Sequence, residues 1–289
     1  MMPDFILPLT QSVEFERTCQ SLGLAVKRLE TPEATCLVQS RKLPVIGAFH
    51  LVSRGPVAIR PEAASRLLKD VRRDFSGPLV VNASFEAEKP AGTQIAKGAE
   101  LALIDLTDPD TMRARLHQKW RNQLKKAERA PLTVVDQPLD ARRHQWFFEA
   151  EAAQQESRKY RSYPGHFLLA FARANKGQAR LYTALESGDP VAAMLVLKHG
   201  RMVTYQAGVT TDAGRRHCAH NLLLWTIMCD FHRRGVVQVD LGRADLNAGL
   251  RRFKLGSGAK LTPLGGTHLA HSWFTPRRKS QQLRVSTGA

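Results

Sequence analysis

The chain is short of several things that would place it at once in a common class. Its four cysteines (Cys19, Cys36, Cys218 and Cys229) form no C-x-x-C pair. That spacing argues against a zinc ribbon or a disulfide framework and leaves them as small buried hydrophobes in a reducing compartment. The longest apolar run, Val191 to Leu197, is far too short for a membrane span. Asp4 stands where a secretory signal would carry positive charge, so a cytoplasmic protein is expected. Acidic residues are scarce, and none follows Asp245. The formal charge is +17, with 43 Lys and Arg against 26 Asp and Glu. A field of that sign draws polyanions: RNA, phosphorylated small molecules or an anionic membrane surface met peripherally. The ordinary alternative is a charge that only aids solubility. Histidine pairs occur at His217/His220 and His268/His271, but no cysteine pair or carboxylate cluster completes a shell, so no metal is expected.

What is present reads as a mixed α and β protein. A length of 289 residues, 43% hydrophobic and 24% charged, suits one large domain or two ordinary ones. In the first half, Ser12 to Leu22 reads as a helix stopped by Gly23. Ala25 to Leu29, Thr35 to Gln39 and Leu43 to Leu51 read as strands. A helix from Pro61 to about Asp74 precedes strands at Leu79 to Val81 and Leu101 to Leu106. No glycine-rich strand-to-helix turn occurs there to hold a phosphate, so this half reads as scaffold and part of an acceptor cleft.

Asp108-Pro109-Asp110 caps a helix expected from about Thr111 to Ala130. Met112, Leu116, Trp120, Leu124 and Ala127 form its apolar stripe. Beside it run Arg113, His117, Arg121, Lys125 and Arg129, four apart. Like charges at that spacing weaken a helix by a few tenths of a kcal/mol per pair, which hints that an anion meets them. Arg121 and Lys125, with Arg251 and Arg252 further on, are the nucleic-acid-binding candidates.

The second half begins with a helix expected over Leu139 to Gln155 and a basic, tyrosine-bearing loop from Glu156 to Pro164. A short helix at Phe167 to Ala174 leads into a three-strand meander over Ala179 to Leu185, Val191 to Leu197 and Met202 to Ala207. A buried helix from His217 to Arg234 then crosses over to a parallel strand at Val236 to Asp240. After that strand, Gly249, Arg251, Arg252, Phe253, Lys254, Gly256 and Gly258 read as a glycine-rich basic loop. A strand that delivers a carboxylate to its end, followed by such a loop, is a common way to present a site. A solvated basic turn is the other reading of the same residues.

Four stretches resemble FemABX-type aminoacyl transferases and their acetyltransferase-like relatives. They are Asp240-Leu241-Gly242 followed by Gly249-x-x-x-Phe253-Lys254, the tetrad Arg54-Gly55-Pro56-Val57, the segment from Lys119 to Ala130 (KWRNQLKKAERA), and the helix closing on Gly235-x-x-x-x-Asp240-Leu241-Gly242. The resemblance implies an α+β chain of two tandem GNAT-like mixed-sheet domains. The first would be a degenerate one over 1–108. The second, over 109–289, would be preceded by the bridging helix and end in a basic tail from about 276. It implies transfer of an aminoacyl or acyl group to an amine acceptor, one option being a phosphorylated cell-wall precursor. No cofactor would be tightly bound, and aminoacyl-tRNA or acyl-CoA would be the co-substrate. Lys254 corresponds to the family's FK lysine, with Phe253 as the wall of the site and Asp240 or Asp245 orienting the amine. Arg158, Lys159 and Arg161 compete for the phosphate-contacting place beside Tyr163. Tyr205, Arg215 and Arg216 complete the substrate-binding set. Acyl-CoA enzymes of this fold bind pyrophosphate on a [QR]-x-x-G-x-[GA] turn, whereas this chain has Arg215-Arg216-His217-Cys218-Ala219-His220. That departure favours the aminoacyl-tRNA branch. The remaining alternatives are an acetyl-CoA-dependent N-acetyltransferase and a non-catalytic RNA-binding protein on the same fold.

Overall fold

A computed structural model of the protein describes residues 5–44, 47–84 and 92–270. The tail expected from about 276 lies outside them, as does His271. The first part contains α1 (Val13–Ser21), β1 (Ala25–Thr31), β2 (Ala34–Leu43), β3 (Gly47–Ser53), β4 (Val57–Ala58), α2 (Pro61–Asp74), β5 (Leu79–Asn82), β6 (Thr93–Ala96) and β7 (Glu100–Asp105). Then come α3 (Pro109–Arg115), α4 (Gln118–Arg129), β8 (Leu132–Pro138), α5 (Gln145–Arg158), α6 (Gly165–Ala174), β9 (Ala179–Glu186), β10 (Asp189–His199) and β11 (Met202–Thr210). The last part holds α7 (Asp212–Arg216), α8 (Ala219–Arg233), β12 (Gln238–Arg243), α9 (Ala248–Gly256), β13 (Lys260–Pro263) and β14 (Thr267–Ala270).

Two mixed sheets organise these elements, so the architecture is α+β. The first runs β1-β2-β3-β5-β14-β6, with β4 on β2, and the second runs β13-β7-β12-β11-β10-β9-β8. The sheets exchange strands across residue 108. From the first half, β7 lies between β13 and β12, and from the C-terminal end, β14 lies between β5 and β6.

The second sheet is covered on both faces, which explains the unbroken apolar run in β10. Ala192, Met194 and Val196 face a core shared with α3, α4 and α8. The alternate residues Ala193, Leu195 and Leu197 face one shared with α5 and α6. Phe15 and Cys19 of α1 join that second core, the Phe15 ring tilted against Tyr163 and Phe167, so the first half also packs on the second sheet. A third core lies between α2 and the first sheet, where Ala63, Ala64, Leu67, Leu68 and Val71 form the buried stripe of α2.

Several elements depart from expectation. The helix expected over 111–130 is broken into α3 and α4. Leu116 is extended, the His117 N–H donates to the Gly256 carbonyl (3.0 Å), and Arg121 Nη2 donates to the Ala114 and Leu116 carbonyls (3.2 and 2.9 Å). Tertiary donors and acceptors replace the intrahelical bonds there. The strand expected over Leu43 to Leu51 falls on β3 (Gly47–Ser53), with Leu43 as the last residue of its antiparallel neighbour β2. The helix expected from Leu139 begins only at Gln145 and runs to Arg158. The buried helix starts at Ala219, after the left-handed Cys218, and not at His217. The segment read as a glycine-rich loop is α9, with Asn247 accepting the Leu250 N–H as its N-cap (3.0 Å). Strands β4, β6, β8, β13 and β14 were not expected at all.

Candidate active site

Strands β11 and β12 pair in parallel at only three positions, Met202–Thr204 against Gln238–Asp240. Beyond them β11 continues to Thr210 and β12 to Arg243, and the two part. A β-bulge in the β10–β11 ladder, where Leu195 faces Ala207 and Val196 faces Tyr205, adds a bend at the same level. A cavity of about 860 Å³ opens at this divergence. Thr204, Tyr205, Gln206, Leu241, Gly242 and Arg243 line it from the parted strands. Asn82 and Thr267 line it from the first sheet, Tyr160 to Tyr163 from the loop after α5, and Lys254 from α9. The strand exchange therefore brings both sheets to one opening.

Lys254 is 4% exposed and lies within α9, not on a loop. Its Nζ donates to the Arg243 carbonyl at 2.6 Å. Burial lowers its pKa from the ordinary 10.5 to about 8, although Asp240 and Asp245 act in the opposite sense. The ammonium is thus a weakly solvated cation at the cavity wall, suited to stabilising negative charge.

Asp240, at the point where the strands part, is fully buried. Its Oδ2 is ion-paired with Arg54 Nη1, and its Oδ1 accepts the Gly242 N–H at 2.7 Å. Burial by itself would raise its pKa. The charge and hydrogen bond of Arg54, with the Gly242 N–H and His199, outweigh burial and hold the carboxyl below its usual range. Gly242 has φ +72, a conformation that favours glycine and lets its N–H turn back on the carboxylate. Both carboxylate oxygens of Asp240 are therefore engaged, one by Arg54 and one by the turn. Asp245 is also paired, to Arg243 at 2.7 Å, which lowers its pKa.

The other expected residues divide. Tyr163 and Tyr205 line the cavity, and burial raises both phenol pKa values, that of Tyr163 to about 12. Tyr163 stacks on Phe167 with ring centroids 4.6 Å apart. Of the three basic candidates in its loop, Arg161 lines the cavity. Arg158 is the last residue of α5 and Lys159 its left-handed cap, and both are exposed. Phe253 is not a cavity wall; it packs on Trp120 (ring centroids 6.0 Å apart), and Gly256 lies so close to Trp120 that a Cβ would stand 2.8 Å from its ring. Arg251 pairs with Glu100, while Arg252 is exposed. Arg215 pairs with Asp212 and donates to the Thr210 carbonyl, and Arg216 is exposed beside it. Of the basic stripe, Arg113 is taken by Glu128 and Arg121 by the end of α3. Lys125 instead lines an open groove of about 510 Å³ with Asn122, Lys126, Arg129 and His217. Among the described residues no group of three His, Cys, Asp or Glu could hold a metal ion, and no helix is long and apolar enough to cross a membrane.

The residue that sequence reasoning missed is Arg54. Its tetrad reads as a tight strand exit, and only the fold shows its guanidinium reaching Asp240 at the cavity. The quoted motifs in fact meet in pairs: Arg54-Gly55-Pro56-Val57 on Asp240-Leu241-Gly242, and the Trp120 segment on Phe253 and Gly256.

Comparison with known proteins agrees with this fold. Residues 113–255 match the family model described as the acetyltransferase (GNAT) domain. Similar solved structures include FemX, with a TM-score of 0.75, 13% identity, and coverage of 93% of this chain and 92% of that one. The C-terminal domain of a putative lysylphosphatidylglycerol synthetase from Agrobacterium fabrum has a TM-score of 0.59 and 16% identity over 89% of this chain and 87% of that one. L-PGS from Bacillus licheniformis has a TM-score of 0.57 and 13% identity over 88% and 90%. At such identities the likeness is one of fold. No curated protein matches the chain. Residues 113–255 thus carry a GNAT acetyltransferase domain, and the chain as a whole has a FemX-like fold.

Proposed function

We propose that this acyltransferase moves an aminoacyl or acyl group onto the amine of an anionic acceptor seated between the two sheets. The observation that carries the reading is the charge of the cavity. Arg54, Lys97, Arg161, Arg243 and Lys254 line it, and among the described residues no carboxylate does. Such a lining attracts a phosphate or carboxylate on the acceptor. It also disfavours the ammonium form of the acceptor's amine, so the free amine is presented for attack. The amine nitrogen adds to the donor carbonyl, and the oxyanion that forms is stabilised by the Lys254 ammonium. The C–N bond is kept as the intermediate collapses, the donor's leaving group departs, and the amine proton passes to water. Asp240 and Asp245 are both held by arginines, so neither is assigned as the base.

The donor is read from the turn before α8. Cys218 is left-handed where acyl-CoA enzymes carry a glycine, and Arg215 is held by Asp212. The groove with Lys125, Lys126 and Arg129 offers cations on a nearby surface, which suits an RNA backbone. Aminoacyl-tRNA is thus the favoured donor and acyl-CoA the second. The exposed Leu246 and Leu250 on the cavity rim favour a second reading of the acceptor, as an anionic amphiphile at a membrane surface. Two structural neighbours bear the name lysylphosphatidylglycerol synthetase or L-PGS.

The test is transfer of labelled acyl group from aminoacyl-tRNA and from acetyl-CoA to phosphorylated amines and their unphosphorylated analogues. Turnover should favour the phosphorylated acceptor and fall by roughly two orders of magnitude in Lys254→Met. Equal use of neutral and anionic amines would remove the charge argument, and no transfer from either donor would remove the reading.

A further inference from the structure

We propose that Arg54, from the first half of the chain, is a positioning residue for Lys254 and acts through Asp240 and the 240–243 turn. The inference rests on the role given to Lys254 under the proposed function. The connection is a series of named contacts. The Arg54 guanidinium pairs with Asp240 Oδ2. Asp240 Oδ1 accepts the Gly242 N–H at 2.7 Å. The next residue, Arg243, offers its carbonyl to Lys254 Nζ at 2.6 Å. Ladder support is missing at this point, because pairing between β12 and β7 shifts register between Asp240 and Arg243. The position of the Arg243 carbonyl, and with it the ammonium, therefore depends on how the turn is held from the Asp240 side.

Arg54 is well placed to hold it. Its φ is +53, in the left-handed region that non-glycine residues adopt at a cost. The loop is fixed on either side. Thr10 Oγ1 and Gln11 Nε2 donate to the Ser53 carbonyl at 2.7 and 2.8 Å, and the Gly55 N–H donates to the Asn82 carbonyl at 3.3 Å. Gln11, itself fully buried, lies against Gly55 so closely that a Cβ there would stand 2.6 Å from its side chain. An anchored loop thus presents one cation to a carboxylate of the other sheet, at the mouth of the cavity. The charged groups that act on Lys254 are Asp240 from β12 and Asp245 from the following loop, each held by its own arginine, Arg54 and Arg243.

The experiment measures turnover, its pH profile, and the titration of Lys254 by NMR in Arg54→Gln and Asp240→Asn, with circular dichroism as the fold control. In Arg54→Gln the Asp240 charge is no longer balanced, the ammonium is favoured, and the Lys254 titration should rise by about one pH unit. In Asp240→Asn it should fall. Turnover should drop at least about tenfold in both, with KM for the donor changed less. If Arg54→Gln does not fold, Arg54→Lys should give a smaller change in the same direction. A folded Arg54 variant with wild-type turnover and an unmoved Lys254 titration overturns the proposal. Full turnover in Lys254→Met would instead remove the reading of the site, while the NMR titration still reports whether Arg54 is coupled to Lys254.

Discussion

Lys254 combines a cation at the cavity wall with a side chain only 4% exposed, so its contributions to chemistry and to stability have opposite signs. Its replacement by Met should lower turnover by roughly two orders of magnitude, the usual loss when an oxyanion-stabilising group is removed. The lowering of its pKa from 10.5 to about 8 corresponds to about 3 kcal/mol against folding at neutral pH. Leaving the Arg243 carbonyl unpaired costs about 1–3 kcal/mol. Lys254→Met should therefore melt no lower than the wild type at pH 7, which a thermal scan checks. The folded state holds fewer Lys254 protons than the unfolded chain between pH 8 and 10.5, so wild-type stability contains a term that rises with pH across that window. The Met variant should lack it. Turnover should move the other way, falling as pH passes about 8, because the ammonium is the useful form. A rising profile through that range would make Lys254 a base.

At the scale of elements, the break between α3 and α4 and the turn after β12 carry the sharpest expectations. Arg121 donates to the last carbonyls of α3, so Arg121→Ala should cost about 1 kcal/mol or more of stability. The same change should leave polyanion affinity nearly unaltered, whereas Lys125→Gln with Lys126→Gln should weaken it and flatten its salt dependence. Filter binding of tRNA at several salt concentrations separates the two. Gly242 has φ +72 and no Cβ, so Gly242→Ala should cost about 1–2 kcal/mol from backbone strain. It should also reduce turnover, because the N–H held by Asp240 sits on that residue.

For the whole molecule, the exchanged strands decide how the chain can be divided. A cut at residue 108 separates β7 from β12 and β13, and β14 from β5 and β6. The fragments 1–108 and 109–289 expressed apart should each lack a central strand of a sheet and expose a long unpaired edge. Aggregation or loss of cooperative melting in either fragment is the expected outcome, read by circular dichroism and light scattering. Two well-folded monomeric fragments would show that the exchanged strands are dispensable.

Local pattern was enough for much of this. The helix read over Ser12 to Leu22, Pro61 at the start of α2, the three-strand meander from Ala179 to Ala207 and the parallel strand after the buried helix are all legible in the residues. Each depends on spacing, capping or turn chemistry within a few positions. The short degenerate motifs were sufficient to suggest the family, and the net charge an anionic partner. Tertiary structure alone decided the rest, for physical reasons. The break at Leu116 and His117 depends on an acceptor at Gly256, far along the chain. Alone, the pattern from Thr111 to Ala130 is a continuous helix. The basic stripe dissolves because Glu128 and the α3 carbonyls claim Arg113 and Arg121. Lys254 reads as a surface lysine until α9 folds its side chain under the 240–243 turn. Arg54 and Asp240 stand 186 residues apart, and no local pattern pairs them. They meet because the chain, having built one sheet, lends a strand to the next and later returns one, and that closure places both halves at one cavity.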